Sequence, residues 1–332
     1  MDTASAPAAS TIAAASGANA IAAFIAIPAA ANPPAGNGRI AFTRFDPVQG
    51  DDFVYTANPD GSQEQQLLPT GAEGPRWSPD GSRIVVFPHD VDASARIVNP
   101  DDGSYRDLAN PDPDLFFLPC SGPWSPDGQR LTCTAFGNTD QSVNGIYTMR
   151  SSGGGGLERV TADPSGEDCA GDYSPNGKRL VFLRLNDTTF ALFTTKLDGS
   201  GLRQITPDGS DQFSINFDCG NWSPQGNEIL FSARAPSDQR STVWSVHSDG
   251  TGLRQIPIPG CGGLISDPTT IGCFGPSWSP DSGKIVFVRR SAGQNDVYTV
   301  NANGTDPSEV SGTPLDEGGP PDWGTHPLIS AR

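Results

Sequence analysis

The chain is poor in basic residues. Lysine and arginine together number 21, against 38 aspartates and glutamates, which gives a formal net charge of −17 and a pI near 4.4. This balance argues against nucleic acids and anionic membrane surfaces as partners. The simplest interpretation of an acidic surface is that its charge keeps the protein soluble. The alternative interpretation is an acidic patch that recruits a basic partner.

The sequence also lacks the usual catalytic signatures. It has no Gly-x-Ser-x-Gly elbow, no His-Glu-x-x-His and no Gly-x-x-x-x-Gly-Lys phosphate loop. Only three histidines occur, and no Cys-x-x-Cys pair exists, so a zinc site built from these residues is not expected. We therefore predict no catalytic residues and no metal ligands of this kind.

A run of 20 clean apolar residues is missing too, so no integral membrane span is expected. The apolar residues 21–27, followed by the alanines 29–31, are similar to the core and cleavage site of an export signal, although no basic residue precedes Arg39. The alternative is a disordered Ala-rich tail. We interpret residues 1–37 as one of these two, and expect a periplasmic or secreted protein.

The most informative pattern is a repeat. An aromatic residue followed by a tight-turn sequence, or by a degenerate form of it, recurs at spacings of 47, 49, 49, 56 and 45 residues. A period of 40 to 50 residues with several short strands is typical of propeller blades. The aromatic residues of the six copies are Trp77, Trp124, Tyr173, Trp222, Trp278 and Trp323.

Each full copy continues with a short β-branched and aromatic run, such as 84–87 or 285–288, which is typical of a strand buried on both faces. A third strand, a second Gly turn and a short outer strand follow. The predicted order is inner strand, tight turn, buried strand, third strand and outer strand. The fold class is therefore all-β.

The two ends of the repeat array complement one another. Residues 39–42 have the buried-strand pattern without an inner strand before them, and residues 320–323 have the inner-strand pattern without a buried strand after them. We predict a six-bladed β-propeller over residues 38–326, with four antiparallel strands per blade. The C-terminal strand closes the ring by pairing with the N-terminal strands, which removes exposed edges. Residues 327–332 would form a tail.

The Trp-Ser-Pro-Asp-Gly turns, the Ile-Val-Phe strands and the Ser-Asp-Gly turns resemble the repeats of TolB-type six-bladed propellers. The resemblance extends over residues 38–326. It implies the propeller alone, since only the Ala-rich segment stands where TolB carries an α/β domain. It also implies a protein or peptide partner.

Six cysteines support export if they pair. Cys261 and Cys273 would close a Gly-rich insertion. Cys120 and Cys133 lie on either side of a tight turn, and Cys169 and Cys219 occupy similar positions in consecutive inner strands.

Oxygen-bearing side chains just ahead of the repeat aromatics are the candidates to face the central channel. They could contact a partner or hold Ca²⁺, which takes six to eight oxygen ligands, or they could simply be solvated. They are Glu73, Asp168, Asp172, Asp218, Asn221 and Asp322.

The sequence thus favours a monomeric, non-enzymatic propeller without a cofactor that binds a protein or peptide in the cell envelope or outside the cell. The insertions 208–217 and 256–270 are candidate contact elements, because loops on a rigid scaffold often carry recognition. The alternative function is a Ca²⁺-dependent hydrolase or lyase that uses the channel carboxylates.

Overall fold

A computed structural model gives the fold. It describes residues 36–91, 93–117, 123–162, 166–186, 189–208, 214–215, 219–234, 240–263, 271–291, 294–311 and 319–330. These residues belong to the compact unit Ala31–Arg332. Asp218, Cys120 and most of the two predicted contact insertions lie outside the described residues.

The described chain consists of short strands and one 3-10 turn, Gln141–Val143. The first strands are β1 (Ile40–Asp46), β2 (Asp51–Ala57), β3 (Gln65–Gln66), β4 (Ala72–Trp77), β5 (Ile84–Pro88), β6 (Ala95–Val98), β7 (Tyr105–Leu108), β8 (Leu115–Phe117), β9 (Arg130–Gly137), β10 (Gly145–Arg150), β11 (Glu158–Arg159), β12 (Gly166–Tyr173) and β13 (Arg179–Asn186). The remaining strands are β14 (Thr189–Lys196), β15 (Arg203–Gln204), β16 (Ser214–Ile215), β17 (Asn221–Trp222), β18 (Glu228–Arg234), β19 (Thr242–His247), β20 (Arg254–Gln255), β21 (Gly272–Trp278), β22 (Lys284–Ser291), β23 (Gln294–Asn301), β24 (Ser308–Glu309) and β25 (Asp322–Trp323).

These strands form six antiparallel sheets, which confirms the predicted six-bladed propeller. The first to fifth blades are β4–β7, β8–β11, β12–β15, β16–β20 and β21–β24, each in chain order from the channel outwards. In the fourth blade, β16 and β17 both pair with β18, so two short segments share the inner position. Most outer strands have only two residues, which leaves little free edge for another chain to pair with.

The sixth blade joins the two ends of the described chain, as predicted. Its strand order is β25-β1-β2-β3, and Ile40 lies opposite Trp323. The Trp323 indole donates to the carbonyl of Gly38 at 3.0 Å. Beyond the strand, the His326 ring stacks on Trp77 of the first blade, with ring centroids 5.1 Å apart. The C-terminal segment therefore contacts both the sixth blade, which it completes, and the first blade.

The tight turns show why their residues recur. In the first blade the amide of Gly81 donates to the carbonyl of Ser78 at 2.8 Å, and Gly81 has a φ of 69° that favours glycine. The Ser78 hydroxyl donates to Asp80 at 2.6 Å and accepts from the Arg83 amide at 3.0 Å. Serine and aspartate thus fix the hairpin between the inner and buried strands.

The core lies between the blades. Each of the six aromatic residues of the repeat is 6% exposed or less and belongs to a separate apolar cluster formed with the preceding blade. For example, Trp222 of the fourth blade packs with Val181 and Leu183 of the third. Each aromatic residue therefore links two consecutive blades.

Disulfides tie the inner strands together. Cys169 of β12 is bonded to Cys219, which lies two residues before β17 of the fourth blade, and Cys261 is bonded to Cys273 across the fourth-to-fifth connection. Both pairs were predicted from the sequence. Cys133 is also disulfide-bonded, and its predicted partner lies outside the described residues.

Candidate functional site

Bulges shape the inner strands where they approach the channel. The pairing of β4, β12 and β21 with the next strand shifts register shortly before the repeat aromatic. In the fifth blade the bulge contains Gly275 at a φ of 61°, and a Cβ there would lie 2.9 Å from Cβ of Pro320 in the sixth blade. Glycine therefore permits neighbouring inner strands to approach closely around the axis.

The residue immediately before each repeat aromatic occupies the equivalent place in each blade. We call these six positions the channel ring. Two acids of the ring, Asp172 and Asp322, belong to the third and sixth blades and so stand on opposite sides of it. The members are Arg76, Pro123, Asp172, Asn221, Ser277 and Asp322.

Ring side chains hold the main chain of the following blade. Oδ2 of Asp172 accepts from the amide of Trp222 at 3.1 Å, and Oδ1 of Asn221 accepts from the amide of Trp278 at 3.2 Å. Oδ2 of Asp322 accepts from the amide of Trp77 at 2.7 Å. The same contact thus recurs at three of the blade-to-blade steps, so these side chains secure the ring of inner strands.

Two further ring members complete this network. The Ser277 hydroxyl donates to Oδ1 of Asp322 at 3.1 Å. Nη1 of Arg76 donates at 2.8 Å to the carbonyl of Pro320, two residues before the inner strand of the sixth blade. Ser277 and Arg76 were not among the predicted channel residues, although their place directly before a repeat aromatic was a visible signal.

Asp172 has the most perturbed carboxyl in the ring. Burial, together with a smaller effect of the Asp322 charge, raises the pKa of Asp172 to about 7. The Trp222 amide and the Arg76 guanidinium act in the opposite direction. A carboxyl group with this pKa changes its charge near neutral pH.

Other predicted channel residues have different surroundings. The side chain of Asp168 is fully buried and accepts two hydrogen bonds from Arg184, at 2.7 and 2.8 Å. Glu73 lies at the opposite end of its strand from the channel ring, with one oxygen 3.9 Å from Nε2 of His89. The five predicted channel residues that the structure describes therefore do not form one cluster, and Asp218 lies outside the described residues.

The propeller has two unlike ends. We call the end with the tight turns the turn end, and the end with the connections to the next inner strand the loop end. At the loop end, Nδ1 of His89 lies 2.6 Å from Asp51, which links the first and sixth blades. Three large apolar side chains are exposed there on consecutive blades: Val48 at 92%, Val91 at 42% and Phe116 at 56%.

The described residues contain no group of three or more His, Cys, Asp or Glu side chains arranged to hold a metal ion. Within the same residues, no helix has the length and hydropathy needed to cross a membrane.

The fold and its repeats define a closed six-bladed propeller of the TolB type. The sequence profile of the TolB beta propeller domain matches residues 33–270, and the chain belongs to this family. An uncharacterized protein of Agrobacterium fabrum is 25% identical over 268 residues, which cover 65% of this chain and 84% of that protein.

Solved structures share the fold. A putative TolB from Agrobacterium tumefaciens has a TM-score of 0.58 at 17% identity, covering 83% of this chain and 89% of that one. TolB from Acinetobacter baumannii has a TM-score of 0.63 at 19% identity, covering 86% of this chain and 66% of that one. An oligogalacturonate lyase from Vibrio parahaemolyticus reaches 0.53 at 14% identity, covering 81% and 78% of the two chains. At these identities the likeness extends to the fold alone.

Proposed function

We propose that this protein is an exported, non-catalytic propeller that binds a protein partner at its loop end. The observation that carries the proposal is the set of exposed apolar side chains Val48, Val91 and Phe116 on three consecutive blades. Exposed apolar groups clustered on one face mark interaction sites more often than scattered ones do. Membership in the TolB beta propeller domain family supports the same class of function.

The charges around these side chains favour a cationic partner segment. Asp46, Asp51, Glu73, Asp112 and Asp114 lie at the loop end of the sixth, first and second blades. The arginines of this region are already neutralised: Arg44 pairs with Glu64 at 2.6 Å, and Arg96 pairs with Asp107 at 2.6 Å and Asp90 at 3.0 Å. A segment that alternates basic and apolar residues would complement this surface.

The disulfides support export. Bonds such as Cys169–Cys219 persist in oxidising compartments and are rare in the cytosol. A compartment assay is direct: cells are treated with a thiol-blocking reagent before lysis, and the cysteines are then counted with and without reduction. Cysteines that are blocked without prior reduction would contradict export.

The alternative, a Ca²⁺-dependent hydrolase or lyase, would require the channel ring to supply several of the six to eight oxygen ligands that Ca²⁺ takes. The ring oxygens of Asp172, Asn221 and Asp322 already accept hydrogen bonds from neighbouring main-chain amides, and the Arg76 guanidinium lies among them. A cation at this place would compete with those amides and with Arg76. The donor set therefore does not suit Ca²⁺, and binding is the better-supported function.

Site-specific photocrosslinking tests the proposal. A benzophenone amino acid is placed at Phe116, and a matched control at Leu328, which is 52% exposed beyond the closing strand. After irradiation of the full protein in an envelope extract, we expect a crosslinked protein from position 116 alone. It should be lost when Asp112 and Asp114 are changed to lysine. Equal crosslinking from both positions, or crosslinking that survives the charge reversal, would refute a loop-end site.

A further inference from the structure

The turn end of the third blade carries a concentration of positive charge in a strongly acidic protein. Arg179 and Lys196 lie opposite each other in the pairing of β13 with β14, although like charges at such positions are destabilising. Two exposed leucines, Leu202 at 47% and Leu197 at 36%, stand in the adjoining turn. We call the following set the third-blade patch: Lys178, Arg179, Lys196, Leu197, Leu202 and Arg203.

The neighbouring blades show what usually occupies these positions. Strand register makes Arg179 equivalent to Arg130 of the second blade and Glu228 of the fourth. It likewise makes Arg203 equivalent to Glu158 and Arg254, on the outer strands.

At these two positions both neighbours form an ion pair between the buried and outer strands. Arg130 lies 3.2 Å from Glu158, and Arg254 lies 2.9 Å from Glu228, with the charges in the reverse order. The third blade has arginine at both positions. The third blade therefore lacks the carboxylate that its neighbours have at one of these two positions.

The first blade offers an instructive contrast, because it also has two arginines at these positions. There Arg83 packs over the Trp124 ring at 4.9 Å, and Arg106 donates to the carbonyl of Ser151. Both cations are therefore committed to the second blade. Within the part of the chain that the structure describes, the two arginines of the third blade have no such aromatic or carbonyl contact with the fourth.

Among the described residues, no carboxylate is in direct contact with a cation of the third-blade patch. None of the four forms an ion pair with a residue in the described ranges, although Arg179 donates to the carbonyl of Gly201 at 2.7 Å. The nearby carboxylates Asp198 and Asp249 interact with Lys196 and Arg203 through charge without direct contact, and they accept hydrogen bonds from the Ser200 amide at 2.9 Å and the Thr251 hydroxyl at 2.6 Å. The patch cations can therefore still make direct contact with an external anion.

Leu202 lies between two surface cavities. One, of about 360 Å³, is bordered by Leu202 with Arg159, Arg184 and Asp198 among others. The second, of about 530 Å³, is lined by Arg179, Gly201, Leu202, Arg203, Ser248 and Asp249. An apolar side chain could pack on Leu202 while a carboxylate next to it reaches Arg179 and Arg203.

We propose that the third-blade patch binds an acidic segment of a protein, in which a carboxylate replaces the missing partner of Arg179 and Arg203 and an apolar residue packs on Leu202. Arginine suits this role because its planar guanidinium binds carboxylate through two hydrogen bonds. The site lies at the turn end, opposite the proposed loop-end surface, and does not depend on it.

Arg203→Glu gives a sharp test, because it recreates the arrangement of the second blade, Arg130 with Glu158. The probe is an acetylated peptide of alternating aspartate and leucine, compared with the same peptide carrying asparagine and with inorganic phosphate. The matched control is Arg234→Glu, an equal charge change at the loop end of the fourth blade. Binding is measured by calorimetry on the full protein.

We expect the aspartate peptide to bind the wild type, and Arg203→Glu to weaken it at least tenfold while raising the melting temperature. Arg234→Glu should leave affinity unchanged, and Leu202→Ser should reduce it about fivefold. The inference is overturned if the wild type does not bind the peptide, if Arg203→Glu binds it as well as wild type, or if phosphate binds equally tightly. Phe116→Ser, which tests the loop end, should have no effect here.

Discussion

The carboxyl of Asp172 should make the propeller less stable as the pH rises from about 4 to 7. Its pKa is raised from 3.8 to about 7 in the folded protein. Between about pH 4 and 7 the unfolded chain loses this proton and the folded chain keeps it, so the free energy of unfolding falls over that window. Above about pH 7 the carboxyl is ionised in both states, and the folded protein carries the full free-energy cost of the buried charge.

The magnitude follows from the shift. A difference of about three pH units at 1.36 kcal/mol each corresponds to about 4 kcal/mol. The side chain of Asp172 keeps some exposure to solvent, which screens part of the effect, so we expect about 2 kcal/mol. Asp172→Asn removes the charge and keeps an oxygen that can accept from the Trp222 amide.

The assay is urea unfolding of wild type and Asp172→Asn at pH 4 and pH 8. The variant should be about 2 kcal/mol more stable at pH 8, with a difference near zero at pH 4. Asp127→Asn is a control of opposite sign, since a hydrogen bond from the Ser125 hydroxyl lowers the pKa of Asp127. Replacing the Asp127 carboxylate by an amide should destabilise the protein more at pH 8 than at pH 4. Parallel pH profiles for wild type and Asp172→Asn would refute the reasoning.

Three further predictions concern the scaffold and the alternative function. Replacing Cys169 and Cys219 together by serine should cost about 4 kcal/mol, because their bond closes a loop with a sequence separation of 50, and a cost below about 1 kcal/mol in urea unfolding would contradict this. Trp222→Ala should cost about 3–5 kcal/mol by opening a cavity between the third and fourth blades, whereas a loss under 1 kcal/mol would show that the blades do not depend on this contact. Addition of 2 mM Ca²⁺ should leave the melting temperature unchanged within a degree; a rise of several degrees that a chelator reverses would favour the metal-dependent alternative.

Much of the architecture could be read from local sequence. Turn residues such as Pro79 and Gly81 specify their conformations through φ preferences, and apolar runs such as 84–87 require burial on both faces. Repetition adds weight to each signal because the same local arrangement must form several times. The ring closure was predictable for the same reason, since Trp323 ends a half repeat that only the strand beginning at Ile40 completes.

The functional surfaces depended on contacts between residues far apart in the chain. Asp168 and Asp172 are four residues apart, but one is buried beside Arg184 and the other reaches the amide of Trp222. The unpaired charges of Arg179 and Arg203 became visible only when strand register aligned them with the ion pairs of the adjacent blades. By itself, the sequence determined the repeat, the blades and their order, because turns and strand burial are local properties. Only the tertiary structure decided which side chains meet, because a carboxylate or guanidinium takes its role from neighbours that the folding of the ring brings within a few ångströms.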